Sequence, residues 1–139
     1  HLAISGDIIW DAYFRHVLSI ADTKHNAFLR AWAGYEIALR NALAARRARN
    51  LGFAVEGYVV AEDMADTDVG LRDAVNAWAS ADDPLAAAKA LDQARWQWLD
   101  EQDRRYSFTD EELAAYAAKL MLLARWKRLT SSQKADAEI

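Results

Sequence analysis

The sequence contains no cysteine, a single proline and five glycines among its 139 residues. Without cysteine the chain has no disulfide framework, no thiolate metal site and no cysteine nucleophile. A β-sandwich or β-barrel of this length would need many more turn-forming residues. Apolar runs long enough to cross a bilayer are also missing, and no charged segment followed by a short apolar one marks a secretory signal. We therefore expect a cytoplasmic protein with no direct membrane insertion.

Hydrophobic residues are abundant: they make up 53% of the chain, and many of them are alanine. Alanine is the strongest helix former, and its small side chain lets helices approach closely, so this composition predicts packed helices. The formal net charge is -4. A dedicated nucleic-acid-binding protein normally carries a strong basic excess, so we predict no nucleic-acid partner.

Apolar residues recur at helical spacing along most of the chain. This predicts an all-α fold of about five helices in an elongated antiparallel bundle, with residues 1–139 forming a single helical domain. Two helix starts carry strong signals. Asp83 is a suitable N-cap and Pro84 suits the first helical position, where its missing N–H is not needed. Thr109 and Glu112 have the spacing of a capping box. The predicted helices run from Ser5 or Asp7 to about Ala21, from about His25 to Leu51, from about Val69 to Ala79, from Pro84 to about Arg105, and from Thr109 to about Leu129.

The segments between and after these helices are predicted from their glycine and polar residues. Gly52 is a natural stop for the second helix, because glycine accepts the left-handed conformation there. The connector that follows, from Phe53 to Val69, is expected to be irregular, and the polar tail from Thr130 is expected to fray.

The periodicity also predicts which side of each helix is buried. In the first helix the recurring apolar positions are Ile8, Ile9, Tyr13, Val17 and Ile20. In the second they are Phe28, Trp32, Tyr35, Leu39 and Leu43. In the fourth the predicted buried side is Leu85, Ala88, Leu91, Arg95, Trp98 and Leu99. In the fifth it is Leu113, Tyr116, Ala117, Leu120, Leu123, Ala124 and Trp126, with Phe108 packing onto Leu113 as a hydrophobic staple.

The usual parts of an active site are not found in the sequence. The five glycines are scattered and form no phosphate-binding loop. The histidines show no metal-ligand spacing with one another or with a carboxylate on the same helical face. We therefore predict no catalytic residue, no cofactor and no resident metal, and we predict that the chain is not an enzyme. The histidines are His1, His16 and His25.

An acidic run between residues 62 and 68 leaves an alternative open. Clustered carboxylates can bind Mg²⁺ or Ca²⁺, and an all-α metal-dependent hydrolase would use such a cluster. The spacing does not fit an EF-hand loop, because Gly70 falls one position early and Ala77 stands at the twelfth position. We favour a solvated acidic loop, since most charge runs face solvent.

Two features are candidates for protein interaction. Arg46, Arg47 and Arg49 stand at the end of the second helix, where cations complement the helix dipole, and a docking surface is the second interpretation of this patch. Trp96 and Trp98 are two residues apart on the fourth helix and cannot face the same way. We therefore expect one of them at a surface or an interface, where tryptophan is enriched.

The order of several motifs resembles a known group of proteins. Glu36–Asn41 followed by Arg46–Gly52 resembles a helix of the d-type stalk subunit of V-type ATPases. The second half is similar to a small bacterial family of unknown function that is encoded beside V-type ATPase genes. The segments that carry this second similarity are Asp83–Leu85, Arg95–Asp100, Tyr106–Phe108 and Leu122–Leu129.

The resemblance spans Phe28 to Leu129 and implies a non-catalytic adaptor or stalk-type subunit of a rotary ATPase that acts by protein–protein docking. It also implies that the chain is the C-terminal helical part of a longer protein, which fits a start at His1 rather than Met. Asn41 and the arginines are the positions expected to make inter-helix hydrogen bonds or docking contacts, with an internal network of satisfied bonds as the other interpretation. A free-standing helical interaction module stays open as an alternative function.

Overall fold

A computed structural model describes residues 2–102 and 107–137 of the chain. Within these residues the chain forms five α-helices and no β-strand, which confirms the predicted all-α class. None of these helices combines the length and the apolar character needed to cross a membrane. The helices are α1 (Leu2–Thr23), α2 (Ala27–Leu51), α3 (Arg72–Ala79), α4 (Pro84–Glu101) and α5 (Asp110–Ala137), and two turns of 3-10 helix lie at Val55–Gly57 and Glu62–Met64.

The described helices belong to two compact units, residues 1–75 (unit 1) and residues 76–139 (unit 2). Unit 1 contains α1, α2 and the connector between Gly52 and α3. Unit 2 contains α4 and α5. The division falls within α3.

Two helix ends, the end of α2 and the start of α4, have the caps that the sequence predicted. Gly52 caps the end of α2 in the left-handed conformation, with φ of 74°, and its N–H donates to the carbonyl of Arg49. The N–H of Phe53 donates to the carbonyl of Ala48 at 2.8 Å, which completes the glycine cap. At the start of α4, Asp83 accepts a hydrogen bond from the N–H of Ala86 at 2.8 Å.

The start of α5 is capped as predicted, but the hydrophobic staple was predicted wrongly. Thr109 Oγ1 accepts from the N–H of Glu112 at 3.4 Å, and Glu112 Oε2 accepts from the N–H of Phe108 at 2.7 Å. Phe108 adopts a positive φ of 56° and its side chain is 90% exposed. Leu113 is exposed as well. The reciprocal bond to Glu112 therefore stabilises this start without a contact between the two apolar side chains.

The predicted ends of α4 and α5 differ from the structure. α5 continues to Ala137 instead of fraying from Thr130, because neither glycine nor proline follows Pro84 in the sequence to stop it. α4 ends at Glu101 with Gln102 as its C-cap, and the predicted end near Arg105 lies outside the described residues.

The core of unit 1 forms where α1, α2 and the connector meet. Phe14 and Leu18 of α1 pack with Ala33 and Ile37 of α2, and Val60 and Ala61 of the connector complete the cluster. The apolar positions predicted from spacing in α1 lie mostly outside this core, since Ile8, Ile9, Tyr13 and Ile20 are exposed. α1 is apolar on several sides, so its contact with α2 selects the face and periodicity could not.

A buried asparagine holds the connector against α2. Asn41 Nδ2 donates to the carbonyl of Val60 at 2.8 Å, and the N–H of Val60 donates to Asn41 Oδ1 at 2.9 Å. The next residue, Ala61, has a positive φ of 44°, which is unfavourable for a residue with a Cβ. Its N–H donates to Asp11 Oδ1 of α1 at 3.0 Å. The two helices thus satisfy the buried backbone of a turn that the connector would not adopt by itself.

Unit 2 is built on an antiparallel pair of helices. Asp92 of α4 pairs with Arg125 of α5, and Asp100 of α4 pairs with Lys119 of α5. Residue numbers therefore rise along α4 while those of the paired residues on α5 fall, as in an antiparallel pair. On α4, Trp98, Leu99 and Asp92 are buried. The fourth helix therefore presents the predicted apolar side together with a carboxylate that periodicity did not assign to it.

Replacing Asn41 with alanine is expected to lower the free energy of unfolding by about 2–4 kcal/mol, because both backbone groups of Val60 would stay buried without partners. Chemical denaturation followed by far-UV circular dichroism measures this change. Asn50→Ala is the matched control, since Asn50 is exposed on the same helix, and it should change the stability by less than about 0.5 kcal/mol. Equal effects of the two substitutions would show that the connector does not depend on Asn41.

Candidate interaction surface

One face of α5 is apolar and exposed. Leu113 is 67% exposed, Tyr116 61%, Leu120 47% and Leu123 53%. These residues follow one another at spacings of three and four, so they form a single stripe along the helix. Ala117 and Ala124 lie on the same side and are also exposed.

The sequence predicted that this side of α5 is buried, and the prediction is wrong for every residue of the predicted set except Trp126, which is half-buried. α5 instead turns a second set of residues toward the interior of unit 2, and these are half-buried. α5 has apolar side chains on both sides, so the spacing alone did not determine which side α4 would cover. The half-buried set includes Ala115, Ala118, Leu122, Trp126 and Leu129.

An ion cluster determines which face of α5 packs against α4. Asp92 Oδ1 accepts from Arg95 Nη1 at 3.0 Å and from Arg125 Nη1 at 3.1 Å. The side chain of Asp92 is about one-tenth exposed, whereas that of Arg125 is 43% exposed. A carboxylate buried to this degree needs paired cations, so α5 must turn Arg125 toward α4. Asp92 Oδ2 is buried and has no hydrogen-bond partner among the described residues.

Two lysines lie over tryptophan rings in the same unit. Lys119 Nζ lies 5.1 Å from the ring centroid of Trp96, and Lys89 Nζ lies 6.0 Å from that of Trp126. Both distances are within the range of a cation–π contact. A cavity of about 210 Å³ lies between α4 and α5 beside these rings, lined by residues that include Lys89, Asp92, Trp96, Leu122, Leu123 and Trp126.

The two neighbouring tryptophans of α4 separate as their spacing predicted. Trp98 is only 7% exposed and belongs to the interior of unit 2. Trp96 is half-buried and lines the cavity. Of the two predicted interaction residues, Trp98 is therefore a core residue and Trp96 is the more accessible one.

The arginines at the end of α2 differ in exposure. Arg47 and Arg49 are exposed, whereas Arg46 is half-buried and its Nε is buried without a partner among the described residues. A docking role therefore fits Arg47 and Arg49 better than Arg46. Asn41, the other predicted interaction residue of α2, is buried and uses its amide on Val60. Its bonds are internal and reach the connector, not a neighbouring helix.

The acidic segment is tied to α1 at one point. Asp63 accepts from Arg15 at 3.1 Å, and Arg15 also bonds Asp11 at 2.7 Å. The hydrogen bond from Arg15 holds the pKa of the Asp11 carboxyl below its ordinary value, and the N–H of Ala61 acts in the same direction. The two carboxylates in turn raise the pKa of Arg15.

Possible metal ligands do not come together in the described part of the chain, where no group of three or more histidine or acidic side chains is found. His16 and His25 are exposed. His1 lies outside the described residues.

Fold and surface together define an all-α protein that exposes an apolar helix face beside an aromatic cavity. The chain belongs to the family described as "Protein of unknown function (DUF2764)", whose model matches residues 7–137. This match extends beyond both ends of the segment from Phe28 to Leu129 that carried the resemblance, and it contains no link to the d-type stalk subunit of V-type ATPases. Neither a search of curated proteins nor a search of solved structures found a significant match.

Sequence reasoning missed Asp92 and the cavity beside it. The available signal was a carboxylate three residues before Arg95, between the apolar positions Leu91 and Trp98. Such a pair is equally typical of a solvent-exposed ion pair on a helix surface. Its burial depends on Arg125, which stands 33 positions away in the sequence.

Replacing Asp92 with alanine is expected to lower the free energy of unfolding by about 2–3 kcal/mol, because Arg95 and Arg125 would lose their shared acceptor. Asp100→Ala is the matched control, since the Asp100 side chain is 50% exposed in its pair with Lys119. This control should cost less than about 1 kcal/mol, as exposed ion pairs do. Denaturation midpoints of the two variants measure the difference, and a larger loss for Asp100→Ala would contradict the buried cluster.

Proposed function

We propose that this chain is a non-catalytic helical adaptor that acts by docking to other proteins, and that its partners are stalk subunits of a V-type rotary ATPase. The observation that supports docking is the exposed stripe of α5 formed by Leu113, Tyr116, Leu120 and Leu123. Exposed apolar surface of this kind is costly in water, and contiguous patches of it mark interaction sites.

The character of the stripe indicates a helical or extended protein partner. Leucine and tyrosine side chains at spacings of three and four are the pattern by which one helix packs on another. The first turn of α5 is acidic at Asp110, Glu111 and Glu112, whereas Lys127 and Arg128 are exposed further along the helix. Opposite charges at the two ends of an apolar stripe favour one direction of docking over the other.

A second charged surface belongs to unit 1. Arg47 and Arg49 are exposed near the end of α2, where the carbonyls of the last turn carry partial negative charge. Their positive charge suits an acidic partner surface and would steer the encounter in a salt-dependent way.

The identity of the partners rests on the resemblance of Glu36–Asn41 and Arg46–Gly52 to a helix of the d-type stalk subunit. A protein of the stalk joins a rotating shaft to a membrane ring and needs rigid helices with docking faces more than chemistry. The exposed stripe and the basic end of α2 are features that such a role would use.

Introducing charge into the stripe tests the proposal. The double substitution Tyr116→Glu and Leu120→Glu should reduce recovery of rotary-ATPase stalk subunits at least about tenfold, because two carboxylates would be buried without partners in the complex. The measurement is affinity purification of the tagged chain from cells that express it, with quantitative mass spectrometry of rotary-ATPase subunits.

Ser132→Glu with Gln133→Glu is the matched control, because it places the same two charges at exposed positions of α5 outside the stripe. Recovery of the subunits by this variant should equal that of the wild type. If the wild-type chain recovers no rotary-ATPase subunit, the proposed partners are wrong; if it recovers them and the double variant does so equally well, the stripe is not the docking face.

Charge reversal at the basic end of α2 tests the second surface. Arg47→Glu with Arg49→Glu should weaken recovery of the same subunits, and raised salt should weaken recovery by the wild type in the same direction. Arg72→Glu is the control, since Arg72 is exposed in α3. The far-UV spectrum should stay helical in every variant. Undiminished recovery by the Arg47/Arg49 variant at raised salt would place the electrostatic contact elsewhere.

A further inference from the structure

The exposed stripe of α5 has the shape of one half of a helix–helix interface. Its members, Leu113, Tyr116, Leu120 and Leu123, are between 47% and 67% exposed. They recur at the spacing by which one helix packs on another. From Leu113 to Leu123 the helix rises by about 15 Å, at 1.5 Å per residue. About three turns of helix therefore present apolar side chains to water, and a second helix has the shape that covers them.

Large and small side chains share the exposed side of α5. Ala117 and Ala124 are exposed on the same side as Leu113 and Leu120. When Leu113 of one copy faces Ala124 of another in an antiparallel pair, the same register places Leu120 opposite Ala117, because each step forward on one helix is a step back on the other. Each of these leucines then meets an alanine, which lets the side chains of the two helices interdigitate.

The charges at the two ends of the stripe fit the same register. Asp110 is exposed in the first turn of α5, and Lys127 is exposed beyond the other end of the stripe. The register that sets Leu113 against Ala124 also sets Asp110 of one copy against Lys127 of the other, and the two-fold symmetry repeats this pair. A parallel pair would instead place like charges together, which disfavours it. The stripe is therefore complementary to itself in the antiparallel direction.

We infer that the exposed stripe of α5 binds the same stripe of a second copy of this chain, with the two helices antiparallel about a two-fold axis. An interface built on one helix pair is small and transient, so the dimer should have a dissociation constant of about 10–100 μM. The second copy covers the stripe in the free protein and leaves it when a stalk subunit docks there. In this last respect the inference rests on the proposed function.

Sedimentation equilibrium of the full chain measures the dimer. The monomer has a mass of 15.6 kDa, and the average mass should rise toward twice this value with increasing concentration. Tyr116→Glu with Leu120→Glu should hold the chain at the mass of the monomer. Ser132→Glu with Gln133→Glu, exposed on α5 outside the stripe, should dimerise like the wild type. A wild-type chain that stays monomeric at about 1 mM would overturn the inference.

Charge reversal tests the register. Asp110→Lys and Lys127→Asp should each weaken the dimer about tenfold, because like charges would then face each other at both ends of the pair. The two substitutions together restore opposite charges, so the double variant should associate within about threefold of the wild type. Because it carries both local changes, its recovery would show that neither one acts by unfolding α5. Additive losses in the double variant would overturn the register.

The chain has no cysteine, so introduced cysteines report the direction of the helices. A mixture of Leu113→Cys and Ala124→Cys chains should form an intermolecular disulfide on mild oxidation, because these positions face each other. Leu113→Cys alone should not, since its two copies lie about 16 Å apart along the helices. Leu113→Cys mixed with Gln133→Cys is the control, because Gln133 is exposed on another side of α5. Cross-linking of Leu113→Cys by itself as fast as in the first mixture would indicate a parallel pair and overturn the inference.

The disulfide-linked dimer separates this inference from the proposed function. Its recovery of stalk subunits should be at least about tenfold lower than that of the same protein after reduction, because the stripe is covered. Equal recovery before and after reduction would overturn the competition between the second copy and the subunits. If the chain is monomeric and recovers stalk subunits, the inference fails and the proposed function stands. If it dimerises as described and recovers none, the dimer stands and the proposed function fails.

Discussion

Asn41 bonds both backbone groups of Val60 from within α2, and the arrangement of unit 1 depends on this pair of hydrogen bonds. The connector has no regular ladder of its own, so its buried N–H and C=O groups need side-chain partners. With Val60 fixed, Ala61 can hold a positive φ while Asp11 of α1 accepts from its N–H. The same turn places Val60 and Ala61 in the core beside Phe14. A polar residue thus makes an apolar core possible.

In unit 2 a buried carboxylate has a similar role, since it fixes how two helices pack. Asp92 accepts from Arg95 of its own helix and from Arg125 of α5, so one side chain fixes both the rotation of α5 and its register along α4. Buried ion pairs contribute little net stability but strongly disfavour arrangements that leave a charge unpaired. The consequence is that α5 turns Trp126 inward and leaves Leu120 outward. The exposed apolar face of α5 is therefore a result of the polar pairing inside the unit.

Most of the side of α5 that was predicted to be buried is exposed, and this exposure has a physical interpretation. Spacing of apolar residues reports that a face avoids water, but it does not report which molecule covers that face. When the chain covers only one of two apolar sides, the other side stays exposed. A cavity lined in part by Trp96, Leu122, Leu123 and Trp126 adjoins this side.

Local sequence was sufficient for the all-α class, the start of α4 at Asp83 and Pro84, the cap at Thr109 and Glu112, and the end of α2 at Gly52. These features depend on residues within about one turn of each other, so local chemistry specifies them. The divergence of Trp96 and Trp98 was predictable as well, because helix geometry alone requires it. Long-range packing selected the buried faces of α1 and α5, the partner of Asn41, and the position of Asp92 inside unit 2. Each of these depends on groups that are distant in sequence, such as Val60 for Asn41 and Arg125 for Asp92, and no local spacing contains that information.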